Sequence, residues 1–171
     1  MSTNETSEGA RWLLLIHQLP AKPAYARVKI WRRLKGLGAV TVKNSVYALT
    51  SNAETREDFA WLVKEIAELG GDGFVCEARL VDGLGDGEVQ ALFDAARDEE
   101  YAEISAAARE LGGKRSDGTD AEFATQAARL RKQLDEIVAI DFFGADGREP
   151  AEGLVFLTLL FQKNDLFSLI G

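Results

Sequence analysis

Eight cations, Arg11, Lys22, Arg27, Lys29, Arg32, Arg33, Lys35 and Lys43, fall between residues 11 and 43, and no acid interrupts them. The block carries +8 while the 171-residue chain carries −8, so the remainder stands at −16. Charge segregated this way in a small protein makes a strongly dipolar field, and its positive side attracts anions whatever the net sign. Clustered guanidinium and ammonium groups are suited to phosphates and other oxyanions. Two readings stay open: the block meets an anionic partner, or it neutralises acidic helices of its own fold.

Other chemistry is sparse. The single histidine and single cysteine exclude the usual zinc constellations and a disulfide framework. His17 ends an apolar run, and no partner for general-base work is legible beside it. It reads as a satisfied, partly buried histidine. Cys76 alternates in phase with Phe74 and Ala78, the position of a small buried hydrophobe. Asp98-Glu99-Glu100 is a charge run on a helix, not an acid/base pair. No phosphate-binding glycine loop, dinucleotide signature or nucleophile elbow occurs. No catalytic residue, metal or cofactor is therefore expected, and the chain does not read as a self-contained enzyme. Residues 1–9 are polar and acidic rather than a secretory signal, and no run reaches the roughly 20 apolar residues of a membrane span. The expected setting is cytoplasmic, with no membrane partner.

These groups need a scaffold, and the pattern supplies an α+β one. Residues 12–19 (WLLLIHQL) form a continuous apolar run, as in a central strand buried on both faces. Pro20 and Pro23 punctuate a loop, and residues 24–37 then fit a helix. Its wheel places Ala24, Val28, Ile30, Trp31, Leu34 and Leu37 on one half, with Trp31 as core. Lys29, Arg32 and Arg33 share the opposite arc with Lys22, where they could meet successive phosphates. Arg27 falls between Leu34 and Trp31, so its charge must snorkel, pair or face a partner. Two short strands, 39–42 and 46–49, flank the turn Lys43-Asn44-Ser45. A second helix over 54–69 turns Phe59, Leu62, Val63, Ile66 and Leu69 inward, and residues 74–81 read as a fourth strand. This order is the βαββαβ of ferredoxin-like modules.

From residue 85 the chain becomes alanine-rich and charged. Helices over 86–111 and 120–142 are predicted as a long hairpin or arm, separated by a turn at 112–118. Phe123, Ala127, Leu130, Leu134 and Ile137 make a narrow seam of coiled-coil spacing. An antiparallel hairpin or a homodimer arm would bury it, and a homodimer is expected. The apolar string after residue 150 (LVFLTLLF, then LFSLI) reads as a docked strand or helix, or as a tail foreign to the rest. The organisation expected is a ferredoxin-like module over 10–84, a helical arm over 85–149 and an apolar tail over 150–171.

Several of these strings also carry a resemblance. WLLLIHQLP, RVKIWRRLKGLGAV and VKNSVYAL, with CEARLVDGL at 76–84 and AIDFFGA at 139–145, closely resemble the N-terminal part of the chromate-resistance regulators of the ChrB family. The resemblance runs from Arg11 to about Glu149. The first module also resembles the middle domain of phenylacetate-catabolism repressors and, more distantly, the small CRISPR spacer-acquisition protein. The resemblance implies a chromate-responsive transcriptional regulator that binds promoter DNA of chromate-resistance genes. It makes Arg27, Lys29, Arg32 and Arg33 DNA-contact candidates, with Lys22 and Lys43 beside them. Chromate is the implied effector, and Lys22, Arg27 and Arg33 are its weak candidates. The CRISPR relatives carry a metal-binding aspartate where this chain has His17-Gln18-Leu19, so no metal nuclease is expected. Family members continue into a further domain, so a truncated regulator, or a dimerising interaction module without DNA or chromate binding, is the alternative.

Overall fold

The computed structural model describes residues 11–113 and 119–168, with side chains through residue 160. In chain order these form β1 (Trp12–Gln18), α1 (Ala24–Gly36), β2 (Val40–Lys43), β3 (Val46–Thr50), α2 (Ala53–Glu68), β4 (Asp72–Ala78), α3 (Asp86–Gly113), α4 (Asp120–Ala139) and α5 (Arg148–Ser168). Two compact units divide within α3, between Leu92 and Phe93. The architecture is α+β: one antiparallel sheet, then long helices. No helix among the described residues is long and apolar enough to cross a membrane.

The first unit holds the βαββαβ module, with strand order β2-β3-β1-β4 and every pairing antiparallel. The apolar β1 is central, as its sequence predicts. Leu13 and Leu15 share a face with Leu49 and Glu77 by register, and Glu77 forms an ion pair with Arg56 of α2. That is the face the helices cover, and Leu13, Leu15 and Leu49 are buried there. On the other face Trp12 is buried, and its indole Nε1 donates to Asp86 Oδ1 at the start of α3, 2.6 Å away.

Strand β4 begins two residues earlier and ends three earlier than its apolar string suggests. Its register decides this: Gln18 pairs with Asp72 and Trp12 with Ala78, so β4 begins opposite the end of β1 and stops opposite its start. Glycine makes the close approach possible, since a Cβ on Gly71 would stand 2.5 Å from the Gln18 carbonyl oxygen. Asn44 takes the positive φ of 48° in the β2–β3 turn. Helix α2 starts on a reciprocal cap, in which Thr55 N–H donates to Asn52 Oδ1 and Asn52 N–H donates to Thr55 Oγ1.

In the second unit α3, α4 and α5 share one core, with Tyr101, Ile104, Ala108 and Leu111 packed with Ala127, Leu130, Leu134, Ala151 and Val155. The predicted seam is therefore filled within the chain, with Phe123 and Ile137 at its margins. Of the apolar string after residue 150, LVFLTLLF belongs to helix α5, which begins at Arg148 and buries Ala151, Val155 and Thr158, while the end of LFSLI at residues 169 and 170 lies outside the described residues.

Helix α4 ends at Ala139 rather than 142 because AIDFFGA builds a turn around one carboxylate. Asp141 accepts from the Tyr101 hydroxyl at 3.0 Å and from the N–H groups of Gly144 and Ala145. Gly144 takes a φ of 74°, and Phe142 and Phe143 both stand edge-on to Phe93. Burial, then the bond to Asp141, raises the Tyr101 pKa, so the phenol stays protonated and donates. Arg97, almost fully buried, lies 3.0 Å from Glu100 Oε2 and donates to the Ile140 carbonyl. Replacing Asp141 by alanine strips partners from one hydroxyl and two backbone N–H groups. The expected cost is about 2–4 kcal/mol of unfolding free energy, measured by urea denaturation.

Candidate nucleic-acid interface

Helix α1 carries most of the cations, and its ends follow from local chemistry. Pro23, in extended backbone, precedes it and accepts from the Ala26 N–H. Arg33 and Lys35 lie in its last turn, where cations favour the negative end of the helix dipole. Gly38 at a φ of 74° reverses the chain, and its N–H donates to the Lys35 carbonyl.

The buried stripe of α1 is Ala26, Ile30 and Leu34. This corrects the predicted inner face. Trp31, expected in the core, is 52% exposed, and Val28 is exposed beside it. Arg27, expected among apolar neighbours, is exposed as well. A helical wheel is weighted by the large side chains, whereas contact with the sheet is made through the small Ala26 and the two residues that follow it at four-residue steps.

The predicted arc of Lys29, Arg32 and Arg33 is also divided. Glu65 of α2 takes Lys29 Nζ on Oε1 at 2.7 Å and Arg33 Nε on Oε2 at 3.3 Å. Glu65 is mostly buried, and the hydrogen bond from Lys29 holds its carboxyl below the usual carboxylate range, with the Arg33 charge adding to the effect. These two cations thus neutralise an acid of their own fold, the second of the two readings of the basic block. Arg32 is exposed. Beside it, Lys35 Nζ stands 5.7 Å from the centroid of the Trp31 ring.

Lys22 lies in the loop ahead of α1, and Lys43 closes β2. Both are exposed at the pole where β1 ends, since His17 N–H donates to the Ser45 carbonyl of the adjoining turn. Of the chromate candidates, Lys22 belongs to that pole, Arg27 faces outward and Arg33 is held by Glu65. The three do not form one cradle.

His17 stacks on Tyr47 with ring centroids 5.6 Å apart, and neither ring nitrogen has a hydrogen-bond partner among the described residues. The expectation of a satisfied histidine is corrected: the ring is packed, not hydrogen-bonded, and burial lowers its pKa toward the neutral form. Cys76 is a free thiol, half-buried opposite Leu14. No three His, Cys, Asp or Glu residues among those described are placed to hold a metal ion. A groove of about 760 Å³ between α1 and α2 was not legible in the sequence; Arg32, Leu37, Asp58, Trp61 and Glu65 are among the residues lining it. Trp61, like Trp31, is exposed, with Lys64 over its ring at 4.3 Å.

Fold and face together define an α+β domain that presents a cationic, aromatic helix to solvent. Residues 27–156 match the family described as Protein ChrB, N-terminal. The chain belongs to that family, the chromate-resistance regulator family that its motifs resemble. It is 30% identical over 152 residues to Protein ChrB of Cupriavidus metallidurans (strain CH34), an alignment covering 89% of this chain and 46% of that protein. The chain thus spans about half the length of that relative. No solved structure matches it.

The Glu65 pairings generate a test. A carboxylate with a depressed pKa stabilises the fold above its unfolded pKa, and that contribution is lost as pH falls through the folded value. Because Lys29 and Arg33 are half-exposed or more, Glu65→Gln should cost only about 1 kcal/mol at pH 7. The difference from the parent should shrink as pH falls below the ordinary glutamate range and vanish only below the folded value, read as thermal midpoints across a pH series.

Proposed function

We propose that this chain binds promoter DNA through the outward face of α1, as the N-terminal domain of a chromate-responsive transcriptional regulator. The observation that supports this best is that Arg27 and Arg32 are exposed on a helix that contains no acid. Their charges are available to phosphates, and they reach solvent from a helix held rigid by its buried stripe. The acidic remainder of the chain repels the duplex and orients it toward this face. Lys22 and Lys43, at the neighbouring pole, extend the positive surface. Lys29 and Arg33 contribute less than their spacing in sequence suggests, because a phosphate must compete with Glu65 for them.

The chromate response rests on family membership. The scattered placement of Lys22, Arg27 and Arg33 supports competition between the dianion and phosphate by charge alone, with sulfate acting similarly.

The double change Arg27→Gln, Arg32→Gln tests the DNA reading. Removing one phosphate-binding charge should flatten the dependence of log affinity on log salt by roughly 0.9, so the slope should fall by about one to two for the pair. Sequence preference should suffer less than affinity. The thermal midpoint should barely move, since exposed substitutions shift stability by under about 0.5 kcal/mol. An unchanged affinity and slope on the DNA upstream of the gene would favour an interaction module without DNA affinity.

A further inference from the structure

Trp31 has no structural task that its position explains. It stands on one flank of α1, about 100° round the axis from the middle of the stripe Ala26, Ile30 and Leu34, with about half its surface open to solvent. Arg27 lies one turn before it and Lys35 one turn after it, so a cation, an indole and a cation follow one another at about 6 Å intervals along the axis. Arg32 and Val28 flank this row and are exposed. Glu65 of α2 takes Lys29 and Arg33 on the inner flank of the helix, away from the row. The outward row is thus cationic at both ends and aromatic in the middle.

We propose that Trp31 is a nucleobase-stacking residue: its ring receives the face of an unstacked base while Arg27 and Arg32 hold the flanking phosphates. This rests on the DNA reading above and adds to it a base contact. Charge complementarity selects the partner, since two exposed guanidinium groups on a helix without an acid of its own fit a polyanion. The indole selects the part of the polyanion, because base–aromatic stacking needs only a free π-face and tolerates any sequence. A base offers that face where it is unpaired, in a single strand or a bulge, or where a duplex step is opened by an apolar wedge. A well-stacked duplex offers none.

The test uses the full chain and three probes of equal length: a duplex, the same duplex with one unpaired base, and the single strand. Trp31→Leu keeps apolar volume but removes the π-face, and Trp31→Phe keeps a smaller one. The Leu variant should lose about tenfold in affinity for the bulged or single-stranded probe, and the Phe variant only part of that. The salt slope should stay unchanged in both, because every phosphate-binding charge is kept. Trp12 is buried, so in a Trp61→Phe background the accessible emission comes from Trp31, and binding should quench it. A loss confined to the bulged duplex would assign a flipped base; a loss on the single strand as well would assign a general stacking platform.

Equal affinity of Trp31→Leu and the parent on all three probes, with no quenching, would overturn the proposal. If Arg27→Gln, Arg32→Gln still weakened binding and flattened the salt slope in that case, the DNA reading would stand without the base contact. If it did not, both would fall. A Trp31→Leu variant that lost self-association in light scattering but kept its DNA affinity would make the face a protein contact, again against the proposal.

Discussion

Burial of Ala26, Ile30 and Leu34 against the sheet sets the rotation of α1 about its own axis, and everything on the surface of that helix follows from it. Were the helix turned by one position, Trp31 would point inward and Arg27 would be caught among apolar groups. As it stands, the inner flank brings Lys29 and Arg33 onto Glu65, and the outer flank leaves Arg27, Trp31 and Arg32 in water. Glu65 reinforces the rotation by accepting from two residues four apart on one side of the helix. These two ion pairs, half-exposed or more on the cation side, thereby act on orientation more than on stability, since their contribution is small beside that of three buried side chains.

An exposed tryptophan and solvated cations are surface that folding does not reward. The structure tolerates them because stability is secured elsewhere in each unit: in the first by β1 at the centre of the sheet, in the second by the helical core and the Asp141 turn. Asp141 shows how much one side chain can organise, ending α4 and satisfying a buried phenol while it shapes the turn that leads into α5. AIDFFGA, one of the strings that carry the family resemblance, is thus a structural device.

Much of the module was legible in the sequence because local signals agreed. The apolar run 12–19, the turn at Asn44 and the inner face of α2 at Phe59, Leu62 and Ile66 needed no tertiary information. The face of α1 was not legible, because a helical wheel sums hydrophobicity and so lets Trp31 and Val28 outweigh the small Ala26. Which residue touches the sheet depends on how closely the helix can approach, and that favours the small one. The division of the basic arc was hidden for another reason: Glu65 is more than thirty residues away in sequence and meets Lys29 and Arg33 only once both helices dock. The seam of α4 was seen as apolar and cover by α3 was one of the readings left open, but the share taken by α5 was not legible, because α5 has no stripe that periodicity detects.

Whether the outward row of α1 meets nucleic acid is decided most directly by an NMR titration of the chain with DNA, following the tryptophan indole N–H and arginine Nε–H signals. The Trp31 indole and the Arg27 and Arg32 Nε–H signals should shift, with Trp12 and Trp61 unmoved. Shifts confined to Trp61, or none in any α1 side chain while the DNA is bound, would contradict a nucleic-acid face on this helix.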